Sequence, residues 1–349
     1  MNIVKAKNFF TKASIIFAAL ILLQNSNIFI FSSPANAEDK KPALINAISS
    51  SYSASEIVGI EKWFNGSALK ISDLKGKVVL VDFWTYSCIN CLRTLPHMIE
   101  LDKKYRDKGL VIIGVHAPEF DFEKNPQNVA AALHKFKIEY PVALDNDLKT
   151  WKNYNNQYWP AHYLINKEGK VVYTHFGEGA YNVMENNIRV LLGLDKQKIE
   201  EKDQQIYSRI QSPETYLGAE RGERNVNKDA KNFIFPKVIP NHHWALQGNW
   251  KVNAQFIESK KAGDSLKFNF IAKKVFLVMA SADGKEVRAK IFVNGKQKDL
   301  GEDAKIGMVK VKNSELYEIV NLSQGGNGIV EIKAENAGLR AYAFTFGNK

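Results

Sequence analysis

Cys88 and Cys91 are the two cysteines of a 349-residue chain, and they stand three positions apart around Ile89-Asn90. A structural disulfide between them would close a very small loop and would constrain the unfolded chain little. Redox chemistry is a better use for such a pair. One sulfur attacks a disulfide as the thiolate, and the other is close enough to resolve the mixed disulfide. Two Cys and seven His cannot build a multi-Cys zinc site or a disulfide-dense scaffold.

The flanking residues supply the elements that position this pair. Val78–Val81 is a continuous apolar run after Gly76, the pattern of a strand buried on both faces. Beyond the pair, Leu92, Leu95, Met98, Ile99 and Tyr105 fall at helical spacing. Lys103, Lys104, Arg106 and Lys108 gather at the helix end, where cations suit the dipole, and Gly109 supplies the stop. Cys88 therefore falls at a helix N-terminus, where free backbone N–H groups favour a thiolate. Asp82 extends the apolar run, and an acid there needs an explanation.

The stretch Val81-Asp82-Phe83-Trp84-Thr85-Tyr86-Ser87-Cys88-Ile89-Asn90-Cys91 resembles the active-site segment of the thioredoxin fold. More narrowly, the chain resembles the exported TlpA-like thiol–disulfide oxidoreductases, and in particular the thioredoxin part of the DipZ family. Leu69–Lys77 is similar to the lead-in of TlpA-like proteins, and Pro96 matches the proline within the active-site helix. Trp159-Pro160, before Ala161–Ile165, matches the family's cis-proline loop, and Gly177-Glu178-Gly179 follows the next run, Val171–Phe176. Glu119–Asp147, with Pro126–Phe136 as a helix, fits the extra segment of TlpA-like folds. The resemblance spans roughly residues 60–195.

The resemblance implies an α/β thioredoxin fold, with Cys88 as nucleophile and Cys91 as resolving thiol. It implies no cofactor beyond a redox-active Cys88–Cys91 disulfide. It also implies that Asp82 is buried beneath the pair. Burial favours a protonated carboxyl, and such a group can relay the proton of Cys91; the alternative is a solvated strand-end residue. Some TlpA-like proteins carry an acid three positions after the second Cys, where this sequence has Thr94. Pro160, if cis, would hold the backbone of Trp159 ready to pair with an extended substrate. Trp84, Tyr86 and Trp159 either form a substrate-binding rim around Cys88 or pack in the core. Glu119 either approaches the site or is a solvated loop acid. His97, His116, His242 and His243 flank no ligand set and read as structural, so no metal is expected.

From Trp250 onward the pattern changes to period two. Leu266, Phe268 and Phe270 alternate with Lys267 and Asn269, and Val287, Ala289, Ile291 and Val293 alternate with Arg288, Lys290 and Phe292. Turn signals recur at Asp283-Gly284, Asn294-Gly295 and Gly325-Gly326-Asn327-Gly328. About eight short strands suggest an antiparallel, jelly-roll-like β-sandwich. Ser212–Gly218, His243–Trp250 and Ala341–Gly347 resemble the C-terminal domain of DipZ-like proteins, which looks like a carbohydrate-binding module. Trp244, Trp250, Tyr317 and Tyr342 are either sugar platforms or, as strand aromatics usually are, core packing.

At the N-terminus, Lys5, Lys7 and Lys12 precede the apolar run Ala13–Leu23, a second patch Ile28–Phe31, and Ala35-Asn36-Ala37. This reads as a signal peptide cleaved after Ala37, with an uncleaved anchor as the alternative. The expected organisation is a signal at 1–37, a flexible linker at 38–55, a thioredoxin-like domain at 56–195, a charged linker at 196–209 and the sandwich at 210–349. The expected location is the periplasm or extracytoplasmic envelope. Hydrophobic residues at 45% and charged residues at 24% exclude a disordered or multi-spanning chain. The net charge of +11 is spread without a long like-charge tract, so no nucleic-acid partner is read from it.

The leading function is exchange of disulfides with exported proteins, as a reductant. DipZ-like proteins commonly carry a membrane-embedded electron-transfer domain, which is not read here. The resemblance then implies a separate membrane electron donor of the CcdA/DsbD type, or small thiols. Two alternatives stand beside it. One is a thiol peroxidase, because Thr85-x-x-Cys88 echoes a peroxiredoxin motif, although Val81 replaces its proline. The other is an envelope protein that binds cell-wall glycan and carries an accessory redox module.

Overall fold

The computed structural model describes residues 43–198, 211–230 and 232–348. The signal segment, its cleavage point and most of the charged linker lie outside the described residues. No helix among the described residues is long and apolar enough to cross a membrane.

The first sheet takes seven strands: β1 (Tyr52–Ser53), β2 (Lys62–Phe64), β3 (Val78–Trp84), β4 (Leu110–His116), β5 (Val142–Leu144), β6 (Ala161–Ile165) and β7 (Lys170–Phe176). Their order is β1-β7-β6-β3-β4-β5-β2. β3, β4 and β5 run parallel, while β6 pairs antiparallel with both β3 and β7. The central strand β3 is buried along its whole length, and its pleat divides its side chains between two cores. Val79, Val81 and Phe83 join one with Tyr154 and Tyr163. Val78, Leu80 and Trp84 join the other with Leu95 and Met98 of α1 (Ile89–Tyr105). Helices α2 (Pro126–Phe136) and α4 (Tyr181–Leu192) cover that same face through Val129, Leu133, Met184 and Ile188. The short helix α3 (Lys149–Asn153) follows β5.

The second sheet is all antiparallel between its named strands and curls around its own core. It contains β8 (Thr215–Tyr216), β9 (Trp244–Gln247), β10 (Trp250–Val252), β11 (Ile257–Ser259), β12 (Ser265–Ser281), β13 (Val287–Val293), β14 (Met308–Val311), β15 (Glu315–Ala334) and β16 (Leu339–Gly347). Two of these strands are long, with 17 residues in β12 and 20 in β15. β12 changes its outer neighbour midway, from β9 along Ser265–Phe268 to β16 along Lys274–Ser281. A register shift between Ala272 and Lys274 marks the change. Opposite it, Gly326, Asn327 and Gly328 pair with Ala272, Ile271 and Phe270. The glycine-rich segment is therefore strand and not the turn its composition suggests. Close approach explains the glycine at 328, where a side chain would meet Asn294 and Phe270 at 3.2 Å. Asn294-Gly295 is a turn, with φ of 51° and 76°, as a two-residue hairpin requires.

The loop after β4 joins the two sheets. Phe120 is buried in a cluster with Val278, Ala280, Tyr342 and Ala343. Its ring lies 5.1 Å from that of Tyr342. The backbone N–H of Asp121 donates to Gln255 Oε1 at 3.0 Å, and Lys135 forms an ion pair with Glu315.

Candidate active site

The site forms where β3 hands the chain to α1. Cys88 caps α1 with extended backbone, and its Sγ accepts from the Cys91 N–H at 3.4 Å. Both cysteines are thiols; Cys88 is half-buried and Cys91 is buried. Burial pushes the Cys91 thiol well up, and the neighbouring Cys88 and the charge of Asp82 add to that shift. Cys88 Sγ donates to the Trp159 carbonyl at 4.0 Å. The Trp159–Pro160 bond is cis.

Asp82 is 1% exposed. It shares the parity of Leu80 and Trp84, so the pleat turns it toward the α1 face, beneath the cysteine pair. Its partner on β4 is Gly114, where a side chain would press on Trp84 and Tyr140 at 3.1 Å. Its partner on β6 is His162. His162 Nε2 lies 3.3 Å from Asp82 Oδ1, and both groups are buried. The pair is within ion-pair distance but off hydrogen-bond geometry, and both His162 ring nitrogens lack a hydrogen-bond partner among the described residues. His162 stacks at 6.1 Å on His175, which is half-buried.

The rim expected from Trp84, Tyr86 and Trp159 is not assembled. Trp84 is fully buried and meets His116 edge-on at 5.1 Å. Tyr86 is 4% exposed and stacks on the same ring at 5.6 Å. Both pack in the core because β3 and the turn after it lie under α1 and the loop after β4. Trp159 alone of the three lines the space in front of Cys88, with its Nε1 donating to Ala117 O at 3.0 Å. The histidines read as structural make local contacts: His97 stacks on Tyr181, and His242 bonds Ser212 at 2.9 Å. His243 bonds Asn241 O at 2.8 Å. Trp244, Trp250, Tyr317 and Tyr342 are all buried, so they pack the second sheet and offer no exposed sugar platform. Thr85, the residue of the peroxidase alternative, is buried with its hydroxyl 3.4 Å from His116 Nε2.

Two buried groups were not singled out from sequence. One is His162, although a histidine between Ala161 and Tyr163 carries the same signal as Asp82 in its strand. The other is Glu123, which no pattern in its loop marks. Glu123 is fully buried. Its Oε1 accepts from Ser87 Oγ at 2.6 Å and Ser87 N at 3.3 Å, and its Oε2 accepts from Glu119 N at 2.7 Å and Phe120 N at 3.0 Å. Desolvation nevertheless outweighs these donors and pushes its carboxyl up to about 7. Glu119 is buried at the side chain and accepts from Tyr216 Oη at 2.6 Å and Arg221 Nη1 at 3.0 Å.

With this geometry in view, comparison with known proteins is informative. A family described as Redoxin matches residues 61–191, and one described as Thioredoxin like C-terminal domain matches residues 212–347. The thiol-disulfide oxidoreductase ResA of Bacillus anthracis is 34% identical over 124 residues, 36% of this chain and 69% of that protein. The chain belongs to the thioredoxin-like thiol–disulfide oxidoreductases. The DipZ proteins of Mycobacterium bovis and Mycobacterium tuberculosis are 41% identical over 241 residues, 65% of this chain. The chain spans 35% of their length. Among solved structures, the thioredoxin domain of a thiol-disulfide oxidoreductase from Bacteroides vulgatus is 25% identical, with a TM-score of 0.35, covering 40% of this chain and 96% of that one.

Glu123 gives a pH signature. Its folded value of about 7 lies above the ordinary carboxyl range of about 4.3. The folded chain therefore keeps a proton that the unfolded chain has released. Its contribution is fully present below the unfolded value and is lost as pH rises to about 7, on the order of 3 kcal/mol. His116, pushed down to about 3 by burial, acts oppositely: its contribution is lost as pH falls below about 6.5. The difference between two curves isolates Glu123. Urea unfolding of the parent and Glu123→Gln from pH 4.5 to 8 is expected to give a stability difference that drifts with pH by a few kcal/mol. A constant difference would remove the buried-acid reading.

Proposed function

We propose that the protein reduces disulfides of exported proteins through Cys88 and Cys91. The observation that carries this reading is Cys88 capping α1 beside the Trp159 carbonyl while Cys91 stays buried behind it. The Cys88 thiolate attacks a substrate disulfide, forms a Cys88–substrate disulfide and expels one substrate thiol. Cys91 then gives up its proton and attacks Cys88 Sγ. The Cys88–Cys91 disulfide forms, the second substrate thiol leaves, and two electrons have passed to the substrate. Asp82, buried beside His162, accepts the proton of Cys91.

The same burial supports the direction. A site that stabilises its thiolates makes an oxidant, because the reduced form is then favoured. Here burial and neighbouring charge hold the Cys91 thiol protonated. This supports the reductant reading, in which the pair takes electrons from a membrane donor or from small thiols. Export rests on the N-terminal signal pattern. The thiol-peroxidase reading finds less support, because the Thr85 hydroxyl is buried 3.4 Å from His116 Nε2.

Cys91→Ser is expected to accumulate mixed disulfides with substrate on non-reducing gels, and Cys88→Ser to form none. Trapping by Cys88→Ser alone would reverse the two roles. Asp82→Asn is expected to slow resolution of the mixed disulfide roughly ten-fold or more, read as product release after a rapid-mixing burst. Resolution at the parent rate from pH 6 to 9 would take Asp82 out of the mechanism. Equilibration with glutathione is expected to give a potential below about −200 mV. A value near about −120 mV would make the protein an oxidant instead.

A further inference from the structure

Cys88 opens onto a cleft of about 380 Å³. One wall carries Asn90, Tyr158 and Trp159 beside it. The facing wall belongs to the C-terminal domain and carries Pro213, Glu214, Tyr216, Arg221 and Phe346. Two interactions hold this wall against the redox site. Phe120 packs on Tyr342, and Glu119 binds both Tyr216 and Arg221.

The charges in the cleft do not cancel. Glu119 is neutralised by Arg221 at 3.0 Å, and Arg221 also lies 3.4 Å above the Tyr216 ring. Glu214 accepts from Tyr216 Oη at 2.9 Å. It is exposed, and no described cation stands within ion-pair distance of it. Desolvation within the cleft, with the charge of Glu119 beside it, pushes the Glu214 carboxyl up to about 7, so above that pH two carboxylates face one guanidinium in front of the nucleophile. The whole chain is basic, at +11, and its wider field opposes this local charge. That field is spread over the surface and is screened beyond about 8 Å at physiological salt. Above pH 7, Glu214 is therefore the stronger term within the cleft that Cys88 lines.

The dimensions select shape as well. A folded partner typically needs about 800 Å² of surface per side, whereas this cleft has the volume of a small-ligand site. The Trp159 carbonyl, 4.0 Å from Cys88 Sγ, offers a main-chain acceptor at the nucleophile. We infer that the C-terminal domain is the specificity wall of the redox site, and that it selects a disulfide carried on an extended polypeptide segment with cationic flanking residues. This inference rests on the oxidoreductase reading above.

The test uses, at pH 8 where Glu214 is ionised, the reduced full-length protein and two disulfide-linked peptide dimers of equal length. Their half-cystines are flanked by lysines in one and by glutamates in the other. Oxidation of Cys88 and Cys91 is followed by acid quench and an alkylating mass tag. The lysine-to-glutamate rate ratio is divided by the ratio for dithiothreitol under the same conditions. The expected normalised preference for the lysine peptide is about five-fold, the scale of one carboxylate acting across a partly solvated cleft. Glu214→Gln is expected to lower it several-fold, Arg221→Gln to raise it, and added salt to compress it. A normalised ratio of one, or a preference that Glu214→Gln leaves in place, would overturn the inference while exchange itself persists. Failure to react with either peptide would overturn the oxidoreductase reading and the inference with it.

Discussion

One buried carboxylate joins the parts of this molecule that matter for its chemistry. Glu123 binds Ser87, the residue before the nucleophile, through one oxygen and the Glu119–Phe120 backbone through the other. Phe120 and Glu119 in turn hold the C-terminal domain. The start of α1 and the facing wall of the cleft are thus tied to a single side chain. Such an arrangement is costly, because desolvation exceeds what four donors return. A buried acid that ties two segments together is better explained by positioning than by stability.

The second constraint is the burial of β3 on both faces. It leaves no position on the strand where a polar side chain can reach water, so Asp82 must find its partners within the protein. The pleat turns it toward α1, and the antiparallel register with β6 puts His162 beside it. An unpaired buried charge would cost several kcal/mol. The His162 ring, 3.3 Å from Asp82 Oδ1, is the partner that the register supplies.

Much of this was legible in the sequence, for identifiable reasons. The apolar run, the helical spacing and the Cys pair locate β3 and α1, because strand burial and helix amphipathicity write directly into residue order. Pro126–Phe136 forms a helix with those bounds. The glycine-rich segment at 325–328 was misread, because composition alone cannot distinguish a turn from a strand that a neighbour approaches closely. Trp84 and Tyr86 stay open between rim and core for a related reason: an aromatic beside a reactive residue has the same sequence signature whether it lines the site or supports it. Glu123 was invisible, since its partners, Ser87 above all, come from another element brought near only by the fold.

The aromatic residues of the C-terminal domain sharpen the meaning of the cleft. Trp244, Trp250 and Tyr317 face inward, and their polar atoms are spent on backbone carbonyls of Glu223, Gln247 and Asn313. The domain has thus committed these large flat surfaces to its own core. Tyr342 is buried too, but against Phe120 and Phe122 of the loop after β4. Apolar packing of this kind is not loosened by salt or by small changes in charge, unlike a polar domain contact. The ion pair between Glu119 and Arg221 adds a polar contact to that packing and sets the charge of the space between the domains. A wall fixed by aromatic packing and a charge set by separate polar residues can vary independently. That separation lets the substrate preference of the site change without disturbing the placement of Cys88.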